Sequence, residues 1–232
     1  MRIQEHLRKI SSKGKAKILS RFFKTGPGEY GEGDVFLGIT VPQIRNAVKI
    51  FKDTGLSDIK GLLRSKYHEE RMAALLLLVA HFKKSDNMAK KEIFRIYLSN
   101  TKHINNWDLI DLTAEHIVGQ YLSDRQKDIL YKLAGSKSLW ERRIAILSTF
   151  AYIKEGNSYE TMKIAKILLR DEHDLIHKAV GWMLREVGKR CSMQEEEVFL
   201  KRHYKTMPRT MLRYAIERFP EKKRQAYLKG SV

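Results

Sequence analysis

The sequence contains a single cysteine, Cys191, which excludes an internal disulfide framework and any multi-cysteine zinc site. Long apolar runs are also missing. The longest, Met72 to Ala80, falls far short of the roughly 20 residues a membrane-spanning helix needs, so no span is expected. The opening stretch MRIQEHLRKISSKGKAK is basic and amphipathic but lacks the continuous apolar segment of a secretory signal, which points to the cell interior. The eight histidines are scattered and form neither an H-E-x-x-H pattern nor a His-Cys cluster, so no metal ligand set is expected. Glycines gather in TGPGEYGEGD, from Thr25 to Asp34, yet no Lys-Ser or Lys-Thr follows and no strand precedes. A nucleotide P-loop is therefore excluded, and the stretch reads as a connecting loop. Strand-like alternation is nearly absent, which leaves an all-α fold.

What is abundant is positive charge. Among 232 residues, 45 Lys and Arg stand against 27 Asp and Glu, a net +18. The excess is uneven: residues 1–24 carry eight basic and one acidic side chain, and residues 199–232 carry ten and two. Such a balance favours a polyanionic partner, and the dense phosphates of duplex DNA fit it best. A solvated basic surface, or a basic amphipathic helix lying on a membrane, are the competing readings. With 43% hydrophobic residues the chain has material for a substantial core.

From Thr40, a candidate N-cap with Pro42 in the first turn, the pattern predicts successive helices with short connections. They run over 41–53, 56–65, 67–84, 87–100, 105–122, 125–135, 138–154, 158–170, 173–190, 193–204, 208–219 and 221–228. Arg71, Trp107, Arg143, Lys178 and Arg213 recur at steps of 36, 36, 35 and 35 residues. Two positions on, the column is Ala73, Leu109, Ala145, Val180 and Ala215; three on, it is Ala74, Ile110, Ile146, Gly181 and Ile216. Both columns are apolar with small members, the stacking seam of an α-solenoid of HEAT-like helical hairpins. A single domain over 1–232 is expected: N-terminal helices and connector over 1–35, stacked repeats over 36–219, and a C-terminal helix and tail over 220–232. The first column becomes a ladder of cations interrupted by an indole, suited to following a phosphate backbone. The stretch Asn105 to Leu122, read as one helix, sets Trp107 and Asp111 one turn apart on one face, and the repeat puts Trp182 in register with Asp111.

At these residues the sequence resembles a known family. WDLID (Trp107 to Asp111), WERRIAIL (Trp140 to Leu147) and KAVGWMLRE (Lys178 to Glu186), with Phe36-Leu37-Gly38-Ile39 and Pro42 ahead of them, look like the AlkD family of DNA alkylation repair glycosylases, from about Phe22 to about Phe219. No helix-hairpin-helix turn of the Leu-Pro-Gly-Val-Gly kind, the mark of the other large glycosylase superfamily, is present. The resemblance implies a monofunctional glycosylase that removes N3- and N7-alkylated purines from double-stranded DNA without a cofactor. It implies Asp111 as the catalytic carboxylate, Trp107 and Trp182 as lesion-facing indoles, and Arg143 as the arginine of the catalytic cleft. Arg142 and Arg185, inside the same motifs, join Arg71, Lys178 and Arg213 as expected DNA contacts. A monomer in the cytoplasm, associated with DNA, is expected. The alternatives are a DNA-binding solenoid without chemistry and a protein-binding scaffold.

Overall fold

Several helices begin where the sequence supplies a cap. The computed structural model describes residues 2–232. The chain opens with α1 (Ile3–Lys9) and α2 (Lys13–Phe22). A loop carrying the glycines leads to α3 (Val41–Ile50), where the Thr40 backbone N–H donates to Gln43 Oε1 at 3.0 Å and Pro42 occupies the first turn. Then come α4 (Leu56–Leu63), α5 (His68–Lys84) and α6 (Asn87–Ser99), the last capped by Asp86 accepting from the Ala89 N–H at 2.9 Å. The short α7 (Trp107–Asp111) is followed by α8 (Asp128–Ala134), α9 (Leu139–Ser148), α10 (Phe150–Lys154), α11 (Tyr159–Ile167), α12 (Asp174–Arg190), α13 (Met193–His203), α14 (Arg209–Ala215) and α15 (Glu221–Lys229). Among the described residues there is no strand, only an isolated parallel bridge between Val35 and Tyr67. The fold is all-α and solenoid-like, as the repeat predicts.

The chain divides into two compact units, Met1–Thr113 and Ala114–Val232. In the first, α5 is the central element: Met72 through Val79 are all buried, and α3, α4, α6 and α7 pack against this helix. A helix apolar on every side belongs in the middle of its neighbours. In the second, α12 takes that place, with α9, α13 and α14 around it. The seam is where the period puts it. Ala73 and Leu109 in the first unit, and Ala145, Val180 and Ala215 in the second, are buried. Gly181 lets α12 and α14 touch, because a Cβ there would lie 2.4 Å from the Met211 carbonyl oxygen.

Two predicted helices are broken. The segment 105–122 gives α7, a turn at Leu112 and Thr113, and a π-helix at Glu115–Gly119. The break has a local cause: the Thr113 hydroxyl donates back to the Leu109 carbonyl at 2.5 Å, and the Thr113 N–H tightens onto Ile110 O at 3.0 Å. Segment 138–154 divides in the same way between α9 and α10. There Ser148 Oγ bonds to Ile144 O at 2.6 Å and Thr149 Oγ1 to Ile146 O at 2.7 Å.

Candidate functional site

Helix α7 sets Trp107 and Asp111 one turn apart, both half-buried. Five residues are too few to hold a helix alone, so its placement comes from the side chains around it. The Trp107 ring stacks on Phe23 with centroids 5.2 Å apart and a 25° interplanar angle, and meets Phe22 edge-on at 5.9 Å. Phe23 stacks in turn on Phe36 at 5.0 Å, and Phe36 on the His68 imidazole at 4.5 Å. An aromatic ladder thus runs from buried His68 outward to Trp107 and to Phe22, which is 62% exposed. Asp111 lies near the buried Tyr97, whose hydroxyl pairs with Thr113 Oγ1 at 3.0 Å. Burial, and then the Asp111 carboxylate, push the Tyr97 phenol well up, so it stays protonated.

Beneath this wall lies a network of buried charge built from the start of α5. His68 Nδ1 is 2.9 Å from Asp34 Oδ2, and His68 Nε2 is 2.9 Å from Asp108 Oδ2. Arg71 Nη2 donates to Asp34 Oδ1 at 2.6 Å and to Asn105 Oδ1 at 3.1 Å. Burial opposes charge on the His68 ring, but Asp108 and Asp34 outweigh it and raise the imidazole to about 9. Burial likewise acts against ionised Asp34, and His68 and Arg71 reverse it, leaving that carboxyl below its ordinary value. Glu69 accepts three backbone N–H bonds, from Leu37 and Gly38 at 2.8 Å and Ile39 at 3.1 Å. Gly38 has φ +83°, and a Cβ on it would lie 2.1 Å from Ser12 O, so this turn demands glycine. Glu70 takes Arg8 Nε at 2.8 Å and Ser65 Oγ at 2.6 Å.

The remaining predicted residues belong to the second unit. Arg143 on α9 is 5% exposed and donates to the Leu175 carbonyl at the start of α12. Trp182 on α12 is half-buried and tilted against Phe150, with centroids 6.0 Å apart. Lys178, partly exposed, pairs with Asp174 at 2.7 Å. Arg213 is exposed and, among the described residues, makes no ion pair.

Three further expected cations, like Arg143, are drawn into the fold rather than left facing solvent. Arg71 is 4% exposed because its guanidinium answers the buried charge of Asp34. Arg142 is tied to Asp171 at 2.5 Å and to the Ser136 and Lys137 carbonyls at 3.0 Å. Arg185 reaches Glu217 and Glu186. The repeat column supplied Arg71 and the motifs supplied Arg142 and Arg185, and in each case a carboxylate gave the guanidinium its partner.

Sequence reasoning missed Asp34, His68, Asp108 and Glu69. The one available signal was the run His68-Glu69-Glu70-Arg71, polar residues abutting the apolar stretch of α5, which reads equally well as an exposed helix start. Among the described residues no group of three or more His, Cys, Asp or Glu is arranged to hold a metal ion, and no helix is long and apolar enough to cross a membrane. A cleft of about 680 Å³ between α11 and α13, lined by Tyr159, Lys163, Val198 and Arg202, contains none of the predicted residues.

A family model described as DNA alkylation repair enzyme matches residues 3–219. A solved structure entitled a predicted DNA alkylation repair enzyme, from Enterococcus faecalis, is similar over 91% of this chain and 97% of its own, with a TM-score of 0.71 and 18% identity. That likeness concerns the fold. No curated protein matches the chain.

Proposed function

The chain belongs to the DNA alkylation repair enzyme family, and from that premise we propose that it is a DNA glycosylase that hydrolyses the N-glycosidic bond of N3- and N7-alkylated purines in duplex DNA. The observation that carries this reading is the pairing on α7 of a half-exposed indole with a half-exposed carboxylate, Trp107 and Asp111, beside an aromatic wall. A stripe serving only the core would be aliphatic, as Leu109 and Ile110 on the same helix are.

An N3- or N7-alkylated purine carries a positive charge and is a good leaving group. When the C1′–N bond breaks, its electron pair returns to the base and cancels that charge, while the sugar develops oxocarbenium character. Asp111 stabilises that developing charge and orients the water whose oxygen bonds to C1′, the water proton passing to the carboxylate or to solvent. The face of Trp107 attracts the cationic nucleotide through the ring quadrupole, by about 0.5–2 kcal/mol per contact, and the family resemblance alone gives Trp182 the same role. Lys178 and Arg213, which keep solvent access, supply contacts to the DNA backbone, which lends the net +18 a purpose.

The test is chromatographic identification of bases freed from methylated duplex DNA. We expect 7-methylguanine or 3-methyladenine to be released by the wild type, and Asp111→Asn to lower the rate by about 100-fold, the usual loss on removing one key electrostatic group. Retained, salt-sensitive DNA binding with no base release would mean a binding protein without chemistry. Negligible DNA affinity would overturn both.

A further inference from the structure

We infer that Asp34, His68 and Asp108 form a positioning relay that fixes Trp107 and Asp111 for the reaction, by tying the N-terminus of α7 to α5 and to the glycine-rich loop. The inference rests on the functional reading above and adds three residues that touch neither substrate nor reacting atoms. Helix α7 has five residues, and Asp108 lies in its first turn, between Trp107 and Asp111. Its Oδ1 accepts the Leu109 N–H at 2.9 Å and its Oδ2 meets His68 Nε2 at 2.9 Å, so one carboxylate satisfies a first-turn donor of the helix, whose N-cap is Asn106, and anchors it to α5. The opposite ring nitrogen meets Asp34, the last residue of the glycine-rich loop. That loop in turn packs on the backbone that carries the ladder: a Cβ at Gly31 would lie 2.4 Å from the Phe23 carbonyl oxygen. The same imidazole stacks beneath Phe36, which stacks on Phe23, which stacks on Trp107. One side chain therefore sets both the start of α7 and the base of the wall against which Trp107 rests.

The protonated ring is what joins the two carboxylates, since only the imidazolium donates from both nitrogens at once. The charged groups that face it are Asp34 from the loop and Asp108 from α7. On its own helix, Arg71 bonds to Asp34 and Glu69 to loop amides, and the end of α2 presents Phe23. Asp34 and Asp108 balance His68 and Arg71, while the Glu69 carboxylate is held by three backbone amides. Loss of the ring proton leaves one carboxylate without its donor and frees the helix end.

The experiment measures single-turnover release of 7-methylguanine from methylated duplex between pH 6 and 10, with duplex affinity measured alongside, for wild type, His68→Gln and Asp108→Asn. We expect both variants to keep duplex affinity while the excision rate falls by roughly tenfold or more, as misplacement of a catalytic pair produces. The wild-type rate should decline as pH rises through about 9, and the decline should move about one pH unit lower in Asp108→Asn, where a raising charge is gone. Should His68→Gln fail to fold, the shift in Asp108→Asn still decides. An unmoved alkaline decline, or parallel loss of affinity and rate, would overturn the relay. If the wild type frees no base at all, the glycosylase reading falls, but the relay remains readable without DNA. The indole resonance of Trp107, identified by its loss in Trp107→Phe, should shift as His68 titrates and should not shift in His68→Gln. A resonance that stays fixed in the wild type would overturn the relay on its own.

Discussion

His68 in the first unit and Glu196 in the second are both buried titratable side chains, and they meet burial in opposite ways. His68 has a carboxylate on each ring nitrogen and keeps its proton to about 9. Glu196, 1% exposed, has one oxygen without a hydrogen-bond partner among the described residues. Burial pushes its carboxyl up to about 8, which the nearby Lys223 and Arg185 resist without reversing. It is packed against Gly188, where a Cβ would fall 1.7 Å from its Oε2. The lesson is that depth alone does not settle the protonation state; partner geometry does. In the unit carrying α7 the imidazole of His68 and the carboxylates of Asp34 and Glu69 have fitted partners, although Arg71 Nε has none among the described residues, and a charge so fitted holds a backbone segment in place.

Removing a fitted partner should therefore cost more than removing an unfitted one. The largest effect is expected for Glu69→Ala, which strands three buried backbone N–H groups of the Leu37–Ile39 turn. At about 1–3 kcal/mol for each orphaned donor, the loss should reach about 3 kcal/mol or more in denaturant unfolding. A loss below 1 kcal/mol would mean that water replaces the carboxylate freely and that the turn is not held as described.

A smaller and pH-dependent effect is expected for His68→Gln. The folded-state imidazole is raised from 6.5 to about 9, so the stability it contributes is complete below pH 6.5 and is lost as pH rises to about 9. The deficit of the variant relative to wild type should be greatest in acid and should shrink across that window. Thermal unfolding from pH 6 to 10 measures it, and a deficit constant with pH would refute the assignment.

An effect of opposite sign, a gain in stability rather than a deficit, is expected for Glu196→Gln. Here the folded carboxyl is raised from 4.5 to about 8, so wild type loses stability between those values and the amide does not. The variant should match wild type below pH 4.5 and gain on it up to about pH 8. If Glu196→Gln were less stable than wild type near pH 7, the contrast between fitted and unfitted burial would collapse.

Much of this could be read before any coordinates. The steps of 36, 36, 35 and 35 residues, with small apolar columns behind them, locate the helices and the seam, since a face that must stack on its neighbours repeats in the sequence. The residues Ala73, Leu109, Ala145, Val180 and Ala215 are buried for that reason. The pairing of Trp107 with Asp111 is likewise a matter of helical spacing, and it survives in the truncated α7. What periodicity could not give is the direction a charge faces. Arg71 shares its column with the exposed Arg213, yet one is buried and the other is not, because only Arg71 has an Asp34 folded against it from 37 residues away.

The sequence by itself determined the helical class, the repeat, the seam and the basic character of the chain, because each follows from local spacing or composition. Tertiary structure alone decided where the longer helices break, which cations are buried, and that a histidine at the head of α5 joins a glycine-rich loop to α7. The physical reason is that buried charge is tolerated only beside a partner. Partners such as Asp34 and Asp108, which lie 34 and 40 residues from His68, are brought together by the fold and leave no periodic trace.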